Sequence, residues 1–221
     1  MFYNDEFKPD ELRFGDVIKG FISTSSEVYK PLTGNNIENF EFHIHSSVPR
    51  FSVILTPCCN IGENQTILLT PLIPIKDKNI FTNPNLLENP LILNEEIEPQ
   101  FAVPPNVWND VFSEEDRVIR LSQGKQYQFR PYFIYEKHDI FPKYEFKLNE
   151  DNMMELNYYW IDFRHISQLK CKYLRQNNLS EEFIESKCLE LSVYTRKQLR
   201  EKIAHYFGRI TDEDKEILEL V

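Results

Sequence analysis

Cysteine is scarce in this chain, and its placement excludes several chemistries. Only Cys58, Cys59, Cys171 and Cys188 occur, and none forms a CxxC pair. Adjacent Cys58 and Cys59 would point to opposite faces of an extended segment, so a disulfide between them is not expected. No apolar run approaches the roughly 18 residues needed to cross a bilayer. The opening Met1-Phe2-Tyr3-Asn4-Asp5-Glu6 is polar and acidic, unlike a signal peptide. A cytoplasmic, reducing setting with free thiols is therefore expected. Positive charge is also in deficit. Thirty-five acidic residues oppose 25 basic ones, for a net charge of −10. That balance disfavours general binding to phosphate backbones, so RNA is a disfavoured partner and a protein partner the expected one. The densest basic stretch, Lys187 to Lys202, is interleaved with Glu and reads as a solvated helix face. Repeats and low-complexity tracts are absent.

What is abundant is aromatic and apolar material. Hydrophobic residues make up 41% and aromatics 14% of the 221 positions, enough to build a packed core. Tyr and Phe fall mostly in short alternating runs suited to half-buried sheet surfaces. One domain spanning 1–221 is expected, with a core at about 12–75 and 126–166, an insertion at 76–125 and a helical part at 167–221.

Along the chain, residues 1–11 read as an arm and Gly15 to Ile22 as a first strand. Residues 23–39 carry Ser, Thr, Gly34, Asn35 and Asn36 without periodicity and read as a loop. Phe40 to His45 alternates strictly, with Glu41, His43 and His45 on one face. Arg50 to Thr56 and Thr66 to Leu72 have the β-branched, apolar character of central strands, joined by a turn at Asn60 to Asn64. Residues 74–106 hold six prolines and read as a surface crossing too proline-rich for helix, with one edge strand at Leu91 to Leu93. A helical turn is expected at Val107 to Phe112. Strands return at 126–135, Tyr144 to Leu148 and Glu155 to Phe163. Helices are expected from Ser180 to Leu189, after Ser192 to a stop at Gly208, and after Thr211. In the second of these, Leu199, Ile203 and Phe207 form a core-facing stripe.

The order Gly15-Asp16-Val17-Ile18, polar loop, Arg50 opening an apolar strand, turn, and an apolar strand ending in Pro resembles the MazF/PemK-like barrel over about residues 12–75. The resemblance implies an α+β protein built on a strongly curved SH3-like barrel. Members of that family are bacterial toxins that cut single-stranded RNA without a metal. Arg50 matches the family's catalytic Arg. The Thr or Ser expected after the third strand's apolar–Pro pair is replaced by Ile73, which leaves the acid/base pair incomplete. Thr70 lies on the opposite strand face from Ile73. More loosely, Val53 to Ile61 resembles the "VLTxxCDI" segment of uncharacterised bacterial proteins, with Cys59 matching and Asn60 replacing Asp. Those proteins share a strand like Trp160-Ile161-Asp162 and a closing helix like Arg196, Leu199, Tyr206, Phe207, Gly208 and Arg209. They resemble accessory components of defence-type gene clusters.

Three functions are thus expected to compete. The first is a non-catalytic protein-interaction component of a bacterial defence or toxin-like system. The second is a metal-independent endoribonuclease using Arg50, whose bidentate donors suit phosphoryl oxygens. The third is a thiol- or metal-dependent enzyme. In it Cys59 would be a nucleophile activated by His43 or His45, or His43, His45 and Cys59 would hold zinc. No cofactor is expected under the first reading. Trp108 and Phe101 are expected to pin the proline-rich segment.

Overall fold

The computed structural model describes residues 1–5, 11–21, 23–28, 42–57, 66–82, 84–95, 113, 115–116, 119, 130–149, 152–170 and 186–208. In chain order the strands are β1 (Val17–Lys19), β2 (Ser23–Val28), β3 (Phe42–Ser47), β4 (Phe51–Ile54), β5 (Thr66–Pro74), β6 (Tyr132–Tyr135), β7 (Tyr144–Lys147), β8 (Met153–Leu156), β9 (Tyr159–Asp162), β10 (Ser167–Lys170) and β11 (Lys187–Leu189). The helices are α1 (Lys78–Thr82), α2 (Pro84–Glu88) and α3 (Val193–Gly208), with 3-10 turns at Pro90–Asn94 and Phe163–His165. Two compact units result: Met1–Pro74 with Tyr159–Ser192, and Ile75–Tyr158 with Val193–Val221.

The first unit is built on an antiparallel sheet in the order β11-β1-β4-β5. The far edge of β5 is shared: β10 pairs with Thr66 to Leu69 and β9 with Leu72 to Pro74. Thr70 and Pro71 fall between these two pairings. A proline without an N–H fits that gap, because no ladder donor is needed there. β4 is buried along its whole length. That is why Phe51-Ser52-Val53-Ile54 reads as a continuous run rather than an alternation. Val17, Ile18, Val53, Ile54, Ile67, Leu72 and Ile161 form the packed interior. β2 and β3 make a separate two-stranded antiparallel ribbon, Ser23 opposite Ser47 and Val28 opposite Phe42.

Helices accompany a largely antiparallel sheet, as the α+β reading requires. The closed barrel is not seen: among the described strands β11 pairs with β1 alone, so the order stays open. Several boundaries also differ. β1 stops at Lys19 because Gly20 and Phe21 both take positive φ, 77° and 79°, which ends an extended run. Ser23–Val28 is a strand and not a loop, since β3 supplies a full ladder of partners for its backbone. The helix expected to reach Leu189 gives way to β11, whose residues pair with Val17 and Ile18. The run from Glu155 breaks at Asn157–Tyr158 into β8 and β9, and Phe163 opens a turn capped by Asp162.

In the second unit the described part of the proline-rich segment, residues 75–82 and 84–95, is folded and partly buried, with Ile80, Phe81, Leu86 and Leu93 in the interior. Pro84 opens α2 and Pro90 opens the 3-10 turn. Both occupy first-turn positions where the missing N–H has no intrahelical partner anyway. The edge strand expected at Leu91 to Leu93 is therefore this 3-10 turn. Asn94 then substitutes for a strand neighbour of β6. Its amide donates to the Ile134 carbonyl at 2.6 Å, and its oxygen accepts from the Ile134 N–H at 2.7 Å. β7 and β8 form a hairpin with Tyr144 opposite Leu156. Phe146 of β7 meets Phe81 edge-on at 5.0 Å. On α3 the buried residues are Thr195, Leu199 and Lys202. Phe207 is 61% exposed, so the expected core stripe holds at Leu199 and fails at its C-terminal end. The helices expected around Val107 and after Thr211, and the start at Ser180, lie outside the described residues.

Candidate functional site

Three places in the first unit concentrate chemistry. The first is a corner where the turn after β1 meets the connection from β3 to β4. The Gly20 N–H donates to the Arg50 carbonyl at 3.0 Å, and the Ser52 hydroxyl donates to the Gly20 carbonyl at 2.7 Å. These bonds hold the Gly20–Phe21 turn. A phenylalanine at positive φ is strained and persists only where its surroundings over-determine it. Outside this anchor the chain is open to solvent. His45, Ser46, Ser47, Val48 and Arg50 are all exposed, Val48 at 69%. The Arg50 guanidinium carbon lies 5.8 Å from the Phe51 ring centroid, and Phe51 packs edge-on against Tyr159 at 6.4 Å. Burial raises the Tyr159 phenol above its ordinary range, while the positive charge of Arg50 pulls the other way. Arg50 thus presents a cation on an aromatic support, available to a carboxylate or phosphate.

The expected site residues are only partly placed. Arg50 precedes β4, and His43 and His45 lie on β3 in the separate ribbon. The side chain of His43 and the whole of Cys59 lie outside the described residues, as do Phe101 and Trp108. Among the described residues no three His, Cys, Asp or Glu side chains gather as a metal site. Thr70 is buried and donates to the Asp162 carbonyl at 3.3 Å, whereas Ile73 is partly exposed and pairs with Trp160. Cys188 is half-buried and donates to the Val17 carbonyl at 3.3 Å. Burial pushes its thiol up to about 11, so it is an inert thiol at neutral pH.

The second place is a buried charge cluster that the sequence reading missed. The side chains of Asp16 and Lys187 are 0% exposed. The Lys187 ammonium reaches Asp16 Oδ2 at 2.9 Å, Glu190 Oε2 at 2.7 Å and the Glu11 carbonyl at 2.8 Å. The Arg13 N–H donates to Asp16 Oδ2 at 2.7 Å. The Arg13 guanidinium and the Asn4 amide meet Glu190 Oε1 at 3.0 and 2.6 Å. Asp16 Oδ1 is buried with no hydrogen-bond donor among the described residues. Burial pushes the Asp16 carboxyl up to about 6, opposed by the Lys187 ammonium and reinforced by the Glu190 charge. Asp16 between Gly15 and Val17 could have signalled a demand for a buried partner. Nothing local identifies Lys187, whose neighbours in sequence suggest a solvated helix face. Lys202, at the other end of that same basic stretch, is also buried and donates to the Leu93 carbonyl.

A third arrangement sits at the end of β9. Asp162 accepts from the Arg164 N–H at 2.9 Å and takes its guanidinium at two oxygens, and His165 Nδ1 lies 3.5 Å from Oδ2. Despite burial, these partners hold the Asp162 carboxyl below its ordinary range. The bonds to Arg164 close a turn.

In the second unit a cleft of about 270 Å³ lies between the 3-10 turn and α3. No helix among the described residues is long and apolar enough to cross a membrane. Compared with known proteins, the chain matches no family, no curated protein and no solved structure.

Proposed function

We propose that this chain is a non-catalytic protein-binding component of a bacterial defence or toxin-like system, acting in the cytoplasm on a MazF/PemK-like core. The observation that carries the binding role is the continuous exposed run from His45 to Val48, followed by exposed Arg50, at the end of ribbon strand β3. β3 contains neither Lys nor Pro, the residues that commonly guard a strand edge against pairing. Arg50 adds a guanidinium suited to a partner's carboxylate. The core assignment is supported by the antiparallel neighbours β1, β4 and β5, which bring the Gly15-Asp16-Val17 segment, the strand after Arg50 and the Pro71 strand side by side.

The test is a photo-crosslinking amino acid at position 48 in the native host, with the same group at exposed Lys143 as control. A discrete protein adduct at position 48, weakened by Arg50→Ala and not formed from position 143, is the expected outcome. Purified protein that cleaves mixed-sequence single-stranded RNA, with cleavage lost in Arg50→Ala, would overturn the reading in favour of a nuclease.

A further inference from the structure

We infer that the cleft beside α3 receives an arginine side chain of a basic protein partner. The inference rests on the binding role proposed above and adds the chemistry of the partner. The cleft is lined by Asn94 and Glu95 on one wall and by Tyr194, Lys197, Gln198 and Glu201 on the other. Its volume of about 270 Å³ is of side-chain size and too small for a folded element.

The walls differ in what they offer. Asn94 is bonded to the backbone of Ile134 through both its amide nitrogen and its oxygen and is a fixed part of the scaffold. Gln198 donates to the Tyr194 hydroxyl at 3.4 Å, which steadies a phenol ring that is 68% exposed. Glu201 pairs with Lys197 at 3.5 Å, both on the helix surface. Glu95 is exposed at the facing rim, and no ion pair engages it among the described residues. Two carboxylates and one ammonium leave the cleft with a net negative charge, and Tyr194 adds an aromatic ring to its lining. A planar guanidinium suits that combination, because it can stack on the ring while donating to carboxylates at its edge. An ammonium could satisfy a carboxylate but lacks the fork and the plane. The net charge of −10 favours the approach of a basic partner.

The test titrates the full chain with the peptide acetyl-Gly-Arg-Gly-amide, followed by amide shifts in two-dimensional NMR. Matching peptides carry citrulline or lysine in place of arginine. The expected result is a weak, saturable response confined to the amides around Asn94, Glu95, Tyr194 and Gln198. The Glu95→Gln and Glu201→Gln variants should each bind about two- to fivefold more weakly, as exposed ion pairs allow. Both positions are exposed, and an unchanged spectrum outside the cleft confirms that each variant is folded. Citrulline binding as well as arginine would overturn the inference, as would lysine binding equally well or no saturable response. Each of these results leaves the position-48 crosslink to stand or fall by itself, so failure of the cleft is distinguishable from failure of the binding role.

Discussion

Replacing Asp16 by Asn should remove a specific pH dependence of stability. Asp16 is fully buried, and its carboxyl is raised from an ordinary 3.8 to about 6. A carboxyl whose pKa is higher in the folded than in the unfolded state holds its proton more tightly when folded. Its stabilising contribution is complete below 3.8 and is lost as pH rises through about 6. The two values differ by about 2 units, and at 1.36 kcal/mol per unit the whole contribution is ~3 kcal/mol. Between about pH 7.5 and about pH 5 the linkage relation delivers roughly half of that gain. The wild-type chain should therefore gain stability on mild acidification. Asp162 does not confuse the comparison. Its carboxyl is lowered, so its contribution is present throughout this window and is lost only on acidification below 3.8. Relief of the chain's net negative charge acts on both proteins, so the difference between them isolates Asp16. The amide is well suited to the site: its oxygen can accept from the Arg13 N–H and Lys187, and its NH₂ takes the place of Oδ1, which lacks a donor among the described residues. The assay is urea unfolding followed by tryptophan fluorescence at several pH values. Equal pH slopes for wild type and Asp16→Asn would refute the reasoning.

Removing the ammonium at the centre of the same cluster should do far more damage. Lys187→Met leaves Asp16 and Glu190 buried together without their shared cation, for an expected loss of about 3–5 kcal/mol in urea unfolding. On α3, Leu199→Ala should cost about 2–5 kcal/mol, whereas Phe207→Ala should stay within about 0.5 kcal/mol, which thermal unfolding resolves. At the corner after β1, Phe21→Gly should relieve a strained backbone and raise the melting temperature by a few degrees, about 1 kcal/mol. A fall in melting temperature would mean that the Phe21 ring contributes more than its backbone strain costs.

Two strands are visible in the sequence because much of each is buried: all of β4, and Ile67, Leu69, Thr70 and Leu72 of β5, so both are rich in β-branched and apolar residues and composition exposes them. β3 is visible for another reason, the strict alternation from Phe40 to His45. Its partner β2 is hidden because Ser-Thr-Ser-Ser has loop composition, and pairing with β3 is what makes it a strand. β11 is hidden more deeply. Lys187-Cys188-Leu189 follows a helix-capping pattern and carries a lysine, and only contact with β1 gives it an extended ladder. Tertiary pairing overrides local preference in both cases.

The candidate site shows the same division. Arg50 is legible because it opens a recognisable strand, and its exposure follows from standing just before β4, outside the buried run. The charge cluster was illegible because its members are scattered from Asn4 to Glu190, and all but Asp16 look like solvated residues when taken alone. What makes them a unit is burial: a lysine cannot leave water unless several acceptors meet it, and here Asp16, Glu190 and the Glu11 carbonyl do so. That requirement couples the ends of the first unit. Lys187 can be buried only if the segment before β1 is in place, and Asp16 only if β11 is. The two segments must therefore dock together, and loss of either exposes a charge that the other has already desolvated. This argues that β11 and residues 11–16 form and release as one cooperative element, so hydrogen exchange should give their amides a common opening free energy that falls together in Lys187→Met. Separate protection of the two segments, with Lys187→Met affecting only β11, would break the argument.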